Sequence, residues 1–203
     1  APVDLQAPRF GSLGCFLFVL LSALAMITLT IVIEPATSWI PMPDSVKALF
    51  EEMFYNTSLF DGILSTCILA PLCEETLCRG LMLRGMLQTK VPWKAIFWSA
   101  FLFAFMHMNP WQGIPALMIG ILFGWLYYKT RSLWLTIFLH CLNNSISTFL
   151  THRFPEIGID APLSELMSHT AYIITYAASF IVLALIIYII HAKTVSSEIQ
   201  THS

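Results

Sequence analysis

Residues 70–87 read APLCEETLCRGLMLRGML, and this stretch decides the fold because it places charges inside a run that otherwise suits a membrane helix. The charges belong to Glu74, Glu75 and Arg79. Each such side chain near a bilayer centre costs roughly 2.5–3.5 kcal/mol, so a cluster of them indicates a functional site. Glu75 and Arg79 are four residues apart with the acid first, the better order for an ion pair. Glu74 lies about 100° round the helix, so we predict one neutralised glutamate and one available for chemistry.

The composition is that of an integral membrane protein. Of the 203 residues, 57% are hydrophobic and only 11% are charged, against roughly 25% charged in an ordinary soluble domain. The mean hydropathy is +0.75. The net charge of -2 offers no basic surface, so no nucleic-acid partner is expected. The five cysteines fall in apolar stretches without C-x-x-C spacing, and we expect neither a disulfide nor a zinc knuckle.

The apolar runs predict an all-α polytopic bundle of about six transmembrane helices. The first run, from about Leu13 to Ile33, is long enough to cross the hydrocarbon core and lacks a cleavage signature, so we expect it to remain as a membrane span. The further runs lie at about 59–83, 93–108, 113–128, 133–150 and 171–190. Apolar residues in 44–54 recur at helical spacing with charges opposite, which predicts a short amphipathic helix at the membrane interface.

Charge distribution predicts how this bundle is oriented. In a six-span bundle, most basic residues fall on one side: Arg9, Arg84, Lys90, Lys94, Lys129, Arg131 and Lys193. Loops 34–58 and 151–168, which are acidic overall, fall on the other side. By the positive-inside rule, both termini are predicted to be cytoplasmic. We detect no linker or internal repeat and expect residues 1–203 to form a single domain. Gly120 and Gly124 have the small-xxx-small spacing of closely packed membrane helices, to which we assign no functional role.

Two more polar pairs lie in apolar runs. Phe103 and His107 are four residues apart, as are His140 and Asn144, so each pair shares one helical face. A lone membrane histidine is more often a helix–helix hydrogen-bonding residue than a catalyst. Several polar clusters in so apolar a chain, however, are best satisfied by sharing one pocket. There a desolvated carboxylate can take a proton from water, one histidine can hold it, and a second histidine and an amide can bind an oxyanion. These groups indicate peptide-bond hydrolysis without a covalent intermediate.

Other peptidase mechanisms fit this sequence less well. H-E-x-x-H does not occur, which argues against the ordinary zinc-peptidase helix. G-x-S-x-G does not occur either, and Ser99 and Ser145 have no base at a defined spacing. Only Asp61 lies within or near a predicted span, so a pair of membrane aspartates is not available. The glutamates remain as the candidates.

The order of these motifs resembles that of the CAAX protease and bacteriocin-processing (CPBP, or Abi) family of intramembrane glutamic endopeptidases. The motifs are E-E-x-x-x-R at Glu74–Arg79, F-x-x-x-H at Phe103–His107 and H-x-x-x-N at His140–Asn144. They occur on successive hydrophobic segments, within about residues 70–145. The resemblance implies a helical bundle whose polar cavity opens within the membrane. The chain departs from the family pattern at Cys78, where an aromatic residue often precedes the arginine, and in being shorter than the eukaryotic prenyl-protein proteases.

The resemblance also implies roles for individual residues. Glu74 and His107 would activate the water, while His140 and Asn144 would bind the oxyanion. The residues that would orient them are Glu75, Arg79 and Phe103. We favour a metal-free glutamate mechanism and expect no cofactor. If the reaction instead required a divalent metal such as zinc, its ligands would be Glu74, His107 and His140.

The expected partner is a membrane-embedded or lipid-anchored protein or peptide substrate in the lipid bilayer. A prenylated C-terminus, a leader peptide and a C-terminal membrane anchor are all open as the cleaved feature. A small six-span chain is typical of a prokaryotic processing enzyme in the cytoplasmic membrane. The alternative is a non-catalytic membrane immunity or scaffold protein, or a small transporter, with a buried polar site. A transporter would be expected to show internal duplication, which we do not detect.

Overall fold

The computed structural model describes residues 8–55, 58–155, 157–158 and 161–199, with the side chains of 53–55 and 195–199 excepted. Within these ranges the chain forms eight helices and no strand, which confirms the all-α prediction. Seven of them are regular: α1 (Gly14–Ser38), α2 (Asp44–Tyr55), α4 (Pro92–Phe105), α5 (Pro110–Thr130), α6 (Leu133–Arg153), α7 (Leu163–Leu166) and α8 (His169–Ile199). The remaining helix, α3, covers residues 59–86 and is irregular.

Helix α3 alternates between α-helical and π-helical turns. Its α-helical parts are Leu59–Gly62, Ala70–Glu75 and Arg84–Met86, and its π-helical parts are Ile63–Leu69 and Thr76–Leu83. Pro71 has no amide hydrogen to donate to the preceding turn, and the first π segment lies directly before it. Such widened turns are rare in helices and often occur at functional sites. The sequence predicted this run as a single span interrupted by Pro71.

Local sequence signals set the ends of the helices on either side of the site. Asn109 caps α5, because its side chain accepts a hydrogen bond from the amide of Gln112. Ser132 caps α6 in the same way through the amide of Leu135. Both are polar residues of the kind that satisfy free amides at a helix start. The left-handed backbone of Arg131 ends α5 and allows α6 to begin two residues later.

Three helices in the described part of the chain are long and apolar enough to cross a membrane. They lie at Gly11–Ser38, Leu133–Arg153 and His169–Thr194, and a shorter apolar helix lies at Pro92–Phe105. These helices indicate an integral, multi-pass membrane protein. The six predicted spans exceed this number, and the difference lies in α3, α4 and α5. By length and composition alone these three helices are not marked as spans.

Packing brings α3 between two other helices. Its first π segment and Ala70–Glu75 pack against α6, whereas its second π segment packs against α4. Helix α4 packs against α5, where a Cβ atom on Gly120 would lie 3.1 Å from the Cβ of Ala100. A Cβ on Gly124 would likewise lie 3.1 Å from Ile96. The close approach predicted from the glycine spacing is therefore present, and it places α4, α5 and α6 around the charged part of α3.

Candidate active site

A buried ion pair lies at the centre of this arrangement. Arg79 Nη1 donates to Glu75 Oε1 at 2.9 Å, and both side chains are completely buried. Arg79 Nη2 donates to the carbonyl oxygen of Gly120 on α5, also at 2.9 Å. The spacing of the two charges predicted this pair, and the structure confirms it. A buried ion pair is maintained only where further hydrogen bonds and good packing offset the cost of removing it from water.

Aromatic rings provide part of that packing. The Arg79 guanidinium carbon lies 4.7 Å from the ring centroid of Phe103 and 5.9 Å from that of Phe123. A guanidinium over an aromatic face is attracted by the ring's electron density. The same Phe103 ring meets His140 edge-on, with the centroids 5.5 Å apart. Phe103 therefore contacts both the cation and a histidine of the cluster.

His140 lies between the two glutamates and is hydrogen-bonded to one of them. Its Nδ1 lies 3.0 Å from Glu75 Oε1, and because a carboxylate only accepts, Nδ1 carries the hydrogen. Its Nε2 lies 3.9 Å from Glu74 Oε2, too far for a direct hydrogen bond. The Glu74 side chain is 25% exposed, while that of Glu75 is completely buried. The groups form a chain from Arg79 through Glu75 and His140 towards Glu74, and the two carboxylates differ as the helical spacing suggested.

His107 lies just past the end of α4, and it contacts Phe103. Its Nδ1 donates to the carbonyl oxygen of Phe103 at 3.0 Å, and its ring meets the Phe103 ring edge-on at 5.2 Å. Asn109 Nδ2 donates to the carbonyl oxygen of His107 at 2.8 Å, which ties this turn to the start of α5. Among the described residues, no hydrogen bond joins His107 to Glu74. Since Nδ1 carries a hydrogen, Nε2 is the nitrogen free to accept a proton.

Asn144 holds α6 against the first π segment of α3. Its Nδ2 donates to the carbonyl oxygen of Thr66 at 2.8 Å, and its Oδ1 accepts from Asn143 Nδ2 at 3.3 Å. The amide nitrogen has two hydrogens, so this bond to Thr66 leaves one of them for another acceptor. Asn144 is one helical turn from His140, and both side chains face α3.

Sequence reasoning missed two groups that hold α3. Ser99 on α4 is buried, and its hydroxyl donates to the carbonyl oxygen of Cys78 in the second π segment at 2.8 Å. The backbone carbonyl of Gly120 accepts from Arg79, although its glycine spacing indicated packing alone. The feature of the sequence that could have indicated a role for Ser99 was its hydroxyl side chain within a short apolar run. A backbone acceptor leaves no such signal in the sequence.

A metal centre would need at least three ligands that converge on one ion. In the part of the chain that the structure describes, no group of three His, Cys, Asp or Glu side chains is placed to hold a metal ion. Glu74, His107 and His140 are accordingly not gathered as three ligands of one ion. The residues present do not fit a metal centre of that kind.

The chain matches a known protein family. Residues 16–146 match the family model described as type II CAAX prenyl endopeptidase Rce1-like. The matched region contains α3 to α5 and most of α6, and with them every residue of the site described above. No curated protein and no solved structure matches the chain.

Proposed function

This chain belongs to the type II CAAX prenyl endopeptidase Rce1-like family, a family of hydrolases, and we propose that it is an intramembrane endopeptidase in which Glu74 activates water. The substrate is a peptide bond of a membrane-associated protein or peptide. The observation that supports this most directly is the contrast around His140. One ring nitrogen is bonded to the neutralised Glu75, while the other faces the partly exposed Glu74 across 3.9 Å.

In the proposed reaction, Glu74 takes a proton from a water molecule with help from His107. The water oxygen attacks the carbonyl carbon of the scissile peptide bond. When the carbon–nitrogen bond breaks, the same proton passes to the leaving amine, so that the products are a carboxylic acid and an amine. General base catalysis of this kind contributes about 10²–10⁴-fold to a rate.

His140 and the remaining amide hydrogen of Asn144 stabilise the negative oxygen of the tetrahedral intermediate. Because Nδ1 of His140 already donates to Glu75, donation from Nε2 requires a ring that carries hydrogens on both nitrogens. Glu75 keeps that ring oriented, and Glu75 is itself held by its ion pair with Arg79. Donors aimed at a developing oxyanion are worth about 2.7–4 kcal/mol each in well-studied proteases.

The proposed setting is a cytoplasmic membrane of a prokaryotic cell. Residues 1–203 form one domain with about six spans, α2 lies at the membrane interface, and both termini are cytoplasmic. Distribution of basic residues supports this orientation. The apolar outer faces of α1, α6 and α8 support insertion in the bilayer.

The test is cleavage by purified full-length protein in proteoliposomes, with fluorogenic peptides that carry a prenyl group, a leader or a membrane anchor. Glu74→Gln keeps the size of the side chain but cannot accept a proton, so we expect at least a 100-fold loss of kcat. Glu52→Gln, at an exposed position of α2, is the matched control and keeps wild-type activity. His107→Ala should also fold and lose cleavage, whereas His140→Ala should lose stability as well as cleavage, because it leaves Glu75 without its hydrogen bond to α6. Full activity of Glu74→Gln on a cleaved peptide would refute the proposal.

A further inference from the structure

A cavity lies between the beginning of α3 and the end of α6, and none of the residues that line it belongs to the charged cluster. Its volume is about 340 Å³, within the usual range for ligand pockets. Its apolar walls are formed by Leu59, Ile63 and Phe149, all of which also face outwards. Its mouth is lined by His152 and Arg153. It is therefore an apolar groove that ends in basic side chains.

The basic end of the groove lies at the end of a membrane-spanning helix. Arg153 is the last residue of the candidate span Leu133–Arg153, and its side chain is exposed. Its guanidinium carbon lies 5.2 Å from the centroid of the Phe154 ring. Among the described residues it forms no ion pair. Its charge is thus available at the level where lipid head groups meet the hydrocarbon.

Three of the polar residues that line the groove, Cys67, Thr148 and His152, are bonded to one another. Cys67 Sγ lies 3.4 Å from the hydroxyl of Thr148, and His152 Nδ1 donates to the carbonyl oxygen of Thr148 at 3.0 Å. The Asn144–Thr66 hydrogen bond joins α6 to α3 one turn further in, between the groove and Glu74. A peptide strand would need partners for its own backbone groups in this apolar setting. A hydrocarbon chain needs none.

We propose that this groove binds an anionic membrane phospholipid. One acyl chain lies along Leu59, Ile63 and Phe149, and the phosphate lies against the guanidinium of Arg153, with His152 beside it. A guanidinium and a phosphate form charge-assisted hydrogen bonds, and these can form in either leaflet. Apolar walls and a basic mouth match the two parts of one amphiphilic molecule. The site is separate from the proposed catalytic groups and does not depend on their activity.

Native mass spectrometry of the purified full-length protein tests this, with dioleoyl phosphatidylglycerol and dioleoyl phosphatidylcholine as probes. We expect retained phosphatidylglycerol on the wild type, and binding to Arg153→Gln that is roughly fivefold weaker, the effect of one basic side chain near an anionic lipid. Arg131→Gln is the matched control, because Arg131 also lies over an aromatic ring, 5.7 Å from that of Tyr128, beyond the other end of α6. It should bind as the wild type does.

A second variant tests the apolar part. Ile63→Trp fills the groove and should weaken phosphatidylglycerol binding with every charge retained. Inorganic phosphate, which has no acyl chain, should not displace the lipid. Equal binding of both lipids, unchanged binding to both the Arg153 and Ile63 variants, or an equal loss in Arg131→Gln would overturn the proposal. Displacement of the lipid by an uncleaved anchor peptide would also overturn it, in favour of a substrate groove.

Discussion

The two adjacent glutamates of α3 lie in opposite environments. Glu75 is completely buried and bonded to Arg79 and His140, whereas Glu74 is 25% exposed and lies 3.9 Å from the same histidine. One residue along a helix is thus enough to separate a structural carboxylate from one that water can reach. The buried half of the site holds the helices together. Under the proposed function, the exposed half is the part that meets the substrate.

The two halves also differ in what holds them. The buried half is bonded to two other helices, through Glu75 to a side chain of α6 and through Arg79 to the backbone of α5. The exposed half has no buried ion pair, and His107 is held by local contacts with Phe103 and Asn109. Changes in the buried half should therefore affect folding and activity together. Changes in the exposed half should affect activity alone, as expected for Glu74→Gln.

Removal of the buried cation should have the largest effect on stability. Arg79→Met keeps much of the volume but leaves the carboxylate of Glu75 buried without its partner. Breaking one side of a buried pair costs about 3–5 kcal/mol, so we expect much lower resistance to unfolding by sodium dodecyl sulphate in mixed micelles, with loss of cleavage. Arg131→Gln, outside the cluster, is the control. Wild-type stability of Arg79→Met would show that the pair does not hold the helices together.

We expect a smaller loss of stability when the close backbone contact between α4 and α5 is disturbed than when the buried charge is removed. Gly120→Ala places a Cβ 3.1 Å from the Cβ of Ala100 and 3.2 Å from its Cα, so α4 and α5 must move apart. Overpacking of this kind costs about 1–3 kcal/mol, and it moves the Gly120 carbonyl away from Arg79. The same detergent titration measures the change in stability.

Gly85→Ala provides the matched control for that variant. An added Cβ there meets nothing within 4 Å, so stability should stay the same or rise by up to about 1 kcal/mol. If both alanine variants had the same stability, the close approach at Gly120 would have no energetic role.

The sequence predicted the contacts that depend on spacing along one helix. The four-residue interval between Glu75 and Arg79 was enough to predict their pair. The apolar composition predicted a membrane protein, and the lengths of the apolar runs predicted that it is all-α. Contacts between different helices could not be predicted from the sequence in the same way. Which ring nitrogen of His140 meets which glutamate depends on the rotation of α6 against α3, and nothing in the local pattern of 133–150 records that rotation.

The π segments of α3 explain a further part of what the sequence did not show. A run such as 59–83 has the same apolar composition whether its turns are α-helical or π-helical. The difference lies in the backbone, where Thr66 and Cys78 each accept a hydrogen bond from a side chain on another helix. Asn144 was assigned to the oxyanion and Ser99 was considered only as a nucleophile. Their bonds to α3 became visible only with the structure.

The smallest predicted effect tests whether one of these bonds positions the site. Ser99→Ala removes the hydroxyl that donates to Cys78, at a cost of about 1 kcal/mol. Because Cys78 precedes Arg79, we expect kcat to fall roughly fivefold with KM unchanged if that energy is lost in the transition state. Ser147→Ala, at an exposed position of α6, should change neither. A lower stability with unchanged kcat would mean that Ser99 only packs α4 on α3, and that the second π segment needs no support for catalysis.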